Sequence, residues 1–139
     1  MTDLEIAVKN LEGHTICLCK NGNCLYSESR GISPMMNFIA EGVDLAGYSV
    51  ADLIVGKAAV LLFIKCGVKE VYAKTLSEGG KKVLEENGVP VTFQTLTERI
   101  INRAGTDTCP MEKAVAETSD PEEAYTLIKQ TLSTIKRIR

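Results

Sequence analysis

With 139 residues, the chain can bury one hydrophobic core and is too short for two. Apolar residues at 45% and charged residues at 24% are the balance of a globular protein, and a net charge of -2 with both signs interspersed offers nucleic acid no basic face. No stretch approaches the roughly 18 consecutive apolar residues of a membrane span, and three Phe, four Tyr and no Trp supply base-stacking platforms poorly.

The opening M-T-D-L-E-I-A is acidic where a secretion signal would be basic, which points to the cytoplasm and to reduced thiols. Leu4, Ala7, Val8 and Leu11 share one helical face, so Asp3 to Leu11 is predicted as a helix with Thr2 or Asp3 as N-cap and Gly13 as stop. T-I-C-L-C and C-L-Y-S flank K-N-G-N, and Asn21-Gly22 suits the positive φ angles of a tight hairpin. Gly31 to Gly42 contains a short helix entered through Pro34.

Ser49-Val50-Ala51-Asp52 has the form of a capping box, and the apolar run behind it predicts one long buried helix from Val50 to about Cys66, ended by Gly67. Val68 to Ala73 reads as a strand, Ser77 to Asn87 as a helix with Gly88 just beyond it, and Val89 to Gln94 as a strand; this spacing is that of a crossover joining parallel strands. Thr97 to Arg103 is either a short strand or a helical turn. Helices are predicted from Pro110 to about Glu117 and from Pro121 onward, the latter capped by Asp120. The basic residues Lys136, Arg137 and Arg139 then sit at a helix C-terminus, where cations are favoured.

Two groups of residues carry possible chemistry. Cys17, Cys19 and Cys24 form C-x-C-x4-C across the hairpin, with Cys19 facing Cys24 in a non-hydrogen-bonded pair and Cys17 on the same face. They fit either a soft-metal or redox patch or small fillers of a covered sheet face. Cys66 reads as core, and His14, the single histidine, as an exposed loop residue.

Cys109 precedes Pro110, so its sulfur is predicted at a helix N-terminus, where a thiolate is favoured. Asn102, Arg103, Gly105 and Thr108 crowd polar groups into the preceding loop, and Glu112 stands three residues on, as a capping carboxylate or a proton-transfer partner. Lys57 falls in the most apolar helix beside Gly56, and Ser77, Gly79 and Gly80 open another helix with unhindered N–H groups suited to an anion.

The order of helix, hairpin, buried helix, strand, helix and strand resembles the cytidine-deaminase-like fold. T-L-S-E-G-G-K-K-V-L, Thr75 to Leu84, is similar in register to that family's T-L-E-P-C-x-x-C segment, with Gly79 and Lys82 where its two zinc cysteines would stand. I-V-G-K-A-A-V lies over its H/C-A-E-x-x-A-I segment, with Ile54 at the first ligand and Gly56 at the glutamate. More closely, V-G-K-A-A (Val55 to Ala59) and C-P-M-E (Cys109 to Glu112) resemble an uncharacterised domain-of-unknown-function family of small prokaryotic proteins with that fold.

The resemblance implies a single three-layer α-β-α domain over residues 1–139, with a mixed sheet made of an N-terminal antiparallel hairpin followed by parallel strands. It implies neither the zinc nor the deamination, because the ligands are missing, and no other cofactor is expected. The expected function is a pocket that binds a small anionic or nucleotide-like ligand through Gly56, Lys57, Ser77, Gly79, Gly80, Asn102, Arg103 and Thr108. The rivals are an enzyme, a cysteine-based transferase or hydrolase, that uses Cys109 as nucleophile with Glu112 or Lys57 assisting proton transfer, and a structural or homodimeric interaction protein.

Overall fold

The computed structural model describes residues 1–102 and 104–138, with residues 136–138 as backbone only. Arg103 therefore lies outside the described residues, as do Arg139 and the side chains of Lys136 and Arg137.

Helix α1, Asp3–Lys9, starts on a capping box: Thr2 Oγ1 accepts from the Glu5 N–H at 3.1 Å, and Glu5 accepts from the Thr2 N–H at 2.9 Å. Strands β1, Ile16–Lys20, and β2, Asn23–Ser27, form the expected hairpin. Asn21 and Gly22 have φ of 52° and 80°, which fits a two-residue turn with both central residues in the left-handed region. The Asp3 carboxylate accepts from the N–H groups of Asn21 and Gly22 at 3.0 and 3.1 Å, which pins α1 to the hairpin tip.

Helix α2, Ser33–Ala40, carries Pro34 in its first turn. Its successor departs from expectation. Ser49–Val55 is not the first half of a long helix but a strand, β3, and the helix α3 is confined to Lys57–Lys65. β3 runs antiparallel to β1 on one side and parallel to β4, Glu70–Ser77, on the other, so it is central and mostly buried. A strand buried on both faces loses the polar-apolar alternation by which strands are recognised. Val50, Ile54 and Val55 are β-branched and suit the extended chain, and Ser49 donates to Glu70 at 2.7 Å across to β4 instead of capping a helix.

Helix α4, Glu78–Glu86, leads to β5, Val91–Thr97, parallel to β4 as expected. The five strands lie in the order β2-β1-β3-β4-β5, one more strand than the sequence suggested. Thr97 to Asn102 contributes an isolated bridge, Ile101 to Thr108, instead of a strand or helical turn. Helix α5, Pro110–Ala114, stops short of Glu117, and α6, Pro121–Ile138, begins where Asp120 accepts from the Glu122 N–H at 3.0 Å.

Helices flank both faces of the sheet. On one face the larger core joins Leu18, Val50 and Val71 to Leu61, Leu62 and Phe63 of α3, Leu84 of α4 and Ile128 of α6. On the other, Ala7 and Leu11 cover Cys17, Cys19 and Ala51. Fully burying a side chain such as Leu61 or Phe63 contributes roughly 1.5–3 kcal/mol, so α3 is the principal lever of the larger core. His14 is half-buried instead of exposed, with its ring 4.7 Å from that of Tyr26 and Nδ1 3.5 Å from Glu28 Oε2.

Asp52, in the middle of β3, is 7% exposed. Burial pushes its carboxyl from 3.8 up to about 8, opposed in part by the N–H groups of Ile54 and Leu53. The folded state holds this proton more tightly than the unfolded chain, so the associated stability is fully present below about pH 4 and is lost as pH rises towards 8. Relative to an Asp52→Asn variant, the wild type is expected to lose on the order of 1 kcal/mol of stability per pH unit across that window. Urea unfolding midpoints of the two proteins measure this, and parallel pH curves would remove the assignment.

Candidate functional site

β3 and β4 are parallel neighbours, so the helices that follow them, α3 and α4, start at the same edge of the sheet. Ser77 caps α4 by accepting from the Gly80 N–H at 3.0 Å. The two helix starts touch through glycines. A Cβ on Gly80 would lie 3.2 Å from the Gly56 carbonyl carbon and 3.3 Å from its oxygen, and one on Gly79 would reach 3.8 Å from Lys57 Cβ. Gly56, Lys57, Ser77, Gly79 and Gly80 thus form one cluster, as the sequence suggested. The glycines serve close approach of backbones more than ligand access.

Gly56 is the N-cap of α3 and has no side chain to satisfy the helix's free N–H groups. That role falls to Glu112, 55 residues beyond Lys57: Oε1 accepts from the Lys57 N–H at 2.8 Å and Oε2 from the Ala58 N–H at 2.9 Å. The carboxylate occupies the space a side chain at position 56 would need, since a Cβ there would stand 2.2 Å from Glu112 Oε1. The Gly56 backbone is otherwise ordinary, with φ of −109° and ψ of −176°.

Burial pushes the Glu112 carboxyl above its usual range, although the Ala58 and Lys57 N–H groups and the Lys57 charge pull the other way. The Lys57 ammonium turns to the Ala116 carbonyl at 3.2 Å, which ties α3 to the turn after α5. The N–H groups that Glu112 occupies are those of α3, whereas the α4 start, where the sequence suggested room for an anion, is capped by its own Ser77.

The second half of the predicted site is arranged differently. Cys109 is the N-cap of α5, but that helix has only five residues and the Cys109 side chain makes no capping bond. Its N–H donates to Ile100 at 2.9 Å, so Glu112 does not cap its own helix; its two oxygens go to α3 instead. The polar loop satisfies itself. Asn102 Oδ1 accepts from the Thr106 N–H at 3.0 Å, Thr108 Oγ1 accepts from Arg99 at 2.8 Å, and Lys113 pairs with Asp107. Asn102 and Thr108 are engaged within the loop, and Arg103 falls outside the described residues.

Two open hollows of about 280 and 580 Å³ lie elsewhere, the first bounded by Ile39, Val43, Lys65 and Cys66, the second along Tyr125 to Thr134 of α6. Neither is lined by a residue of the predicted site. No described helix is long and apolar enough to cross a membrane.

Sequence reasoning missed Asp52, read as part of a cap, and missed the partner of Glu112. The buried-strand reading of S-V-A-D-L-I-V was the available signal for the first. For the second, an N-cap glycine without a capping side chain marks a helix start that must be served from elsewhere.

Across the hairpin, Cys19 lies opposite Cys24 with their Cα atoms 4.1 Å apart, and a disulfide joins them where reduced thiols were expected. Cys17 Sγ is 3.6 Å from Cys19 Sγ, and burial pushes the Cys17 thiol up to about 11. Cys66 is only partly buried, at the end of α3.

A five-stranded mixed sheet flanked by helices, with two helix starts in contact through glycines and one of them capped by a carboxylate from a later segment, defines a class of small α/β protein. Residues 7–132 match the family model described as TM1506, domain of unknown function (DUF1893), and the chain belongs to that family. It is similar to the crystal structure of a DUF1893 family protein, TM1506, from Thermotoga maritima, at 27% identity and a TM-score of 0.82, with 96% of this chain and 91% of that one covered. No curated protein matches the chain.

Gly56→Ala is expected to destabilise the protein by about 2–4 kcal/mol, because its Cβ must displace a buried, hydrogen-bonded carboxylate. Glu112→Ala is expected to cost about 2 kcal/mol through the lost cap. With the carboxylate gone the methyl has room, so the double variant should be no worse than Glu112→Ala by more than about 1 kcal/mol. Equilibrium unfolding of the four proteins measures the coupling, and additive losses would show that Glu112 does not fill this space.

Proposed function

We propose that the protein is a zinc-free, cytidine-deaminase-like module that binds a small anionic or nucleotide-like ligand where α3 and α4 begin. The observation that carries this reading is the Glu112 carboxylate held by the Lys57 and Ala58 N–H groups. A site that gives a carboxylate two backbone N–H donors in a partly buried place has donors that a phosphate or ligand carboxylate could also use. Glu112 is then the resident occupant that an incoming anion displaces, and its raised carboxyl shows that holding it there carries a desolvation cost.

The antiparallel hairpin, the parallel strands and the paired helix starts support the deaminase-like architecture. The residues at that family's three zinc positions, Ile54, Gly79 and Lys82, and at its glutamate position, Gly56, do not fit those roles. Ile54 is 57% exposed and apolar, Gly56 and Gly79 have no side chain, and Lys82 is a cation. No step through zinc is derived. Cys109 as nucleophile gains no support, since α5 is short, Glu112 is committed to the α3 N–H groups and the Lys57 ammonium to the Ala116 carbonyl.

A second reading rests on the same seat being filled: Glu112 is a structural keystone, and the fold serves interaction, including with a second copy of itself. Calorimetric titration with inorganic phosphate and nucleoside monophosphates separates the two. Glu112→Gln keeps the shape and removes the competing charge, so it is expected to bind an anion about 10-fold more tightly than wild type, a difference of about 1.4 kcal/mol. Lys57→Ala is expected to weaken that binding. Absence of binding to both wild type and Glu112→Gln would leave the keystone reading.

A further inference from the structure

We propose that Cys17, Cys19 and Cys24 form a three-thiolate site for one soft, thiophilic d10 cation such as Cu(I), open in the reduced protein and closed when Cys19 and Cys24 join in a disulfide. The three sulfurs all lie within 4.8 Å of one another. An ion bound about 2.3 Å from each of three sulfurs would hold them about 4 Å apart in a plane, and the Cys17 to Cys19 separation is already 3.6 Å. The β1–β2 register sets Cys19 opposite Cys24, and strand alternation sets Cys17 on the same face. Opening the disulfide frees the Cys19 and Cys24 side chains, which the hairpin register already holds opposite one another, to turn towards a shared ion.

The donor set selects the ion. Among the described residues no His, Asp, Glu or further Cys joins these three, so a cation that demands four ligands or prefers oxygen is poorly served, whereas thiolate-only coordination suits soft ions. The surroundings are dry: Ala7 and Leu11 cover the sulfurs, with Ala51 beside them on the sheet. Cys17 and Cys19 are fully buried, but Cys24 is half-buried on β2, an edge strand, and gives the way in. The Asp3 bonds to the hairpin tip hold α1 over the patch.

The opening step is thiol–disulfide exchange. A dithiol reductant gives two electrons and two protons, its own sulfurs become a disulfide, and Cys19 and Cys24 become thiols. Each thiol that then binds the ion releases its proton to solvent. A disulfide oxidant reverses the first step, and the ion leaves.

The test titrates Cu(I) into the intact protein, reduced with a dithiol that is then removed anaerobically, against a chromogenic Cu(I) chelator. The expected result is one ion held per chain by the reduced protein and none by the disulfide form. Cys17→Ser, Cys19→Ser and Cys24→Ser should each weaken binding on the order of 100-fold, while Cys66→Ser and Cys109→Ser should not change it. The proposal is overturned if the reduced protein loses the ion to the chelator, if the disulfide form binds equally, or if Cys66→Ser or Cys109→Ser weakens binding as much. Comparing reduced with disulfide wild type decides the matter even if a hairpin variant fails to fold. The result is independent of any anion bound at α3.

Discussion

The contact on which the C-terminal third of the molecule depends is the Glu112 carboxylate on the first turn of α3. It satisfies N–H groups that Gly56 leaves open, and it holds α5 against the helix at the centre of the larger core. Lys57 adds a bond to Ala116, and Lys65 at the other end of α3 pairs with Glu122 of α6 at 2.6 Å. One nine-residue helix is thereby tied at both ends to segments that follow the sheet in sequence. The glycines at 56 and 80 are the geometric condition for this, because only without side chains can the two helix starts and a carboxylate share so small a space.

Much of this fold was legible. Asn21-Gly22 between alternating apolar residues gave the hairpin and its register, down to the facing of Cys19 and Cys24. Gly67, Ser77 and Gly88 punctuate β4, α4 and β5 closely enough that the parallel unit could be placed within a few residues. β3 was lost because its neighbours on both sides cover it: Val50, Ala51 and Val55 are all buried, and the chain runs without alternation into an equally apolar helix. Local pattern cannot divide such a run; here Gly56 does.

The candidate site was half legible for a related reason. Gly56, Lys57, Ser77, Gly79 and Gly80 come together because each stands at a helix start, and helix starts leave marks in sequence. Glu112 was noticed, as a cap of its own helix or a proton-transfer partner of Cys109, both within three residues of it, since capping is ordinarily read over so short a span. A partner 55 positions away is fixed by how α5 packs on α3, which no short window contains. Asp52 was misread for the same reason as β3. Its burial follows from strands on either side, not from its neighbours in the chain.

The remote origin of the α3 cap bears on how the protein is made. Biosynthesis proceeds from N- to C-terminus, so all five strands, complete by Thr97, leave the ribosome before Glu112 does. Until then the α3 amides are served by water alone, and the nascent sheet carries its central helix unfinished. The last segments do more than enlarge a finished body: arrival of one side chain completes a helix that was synthesised long before it.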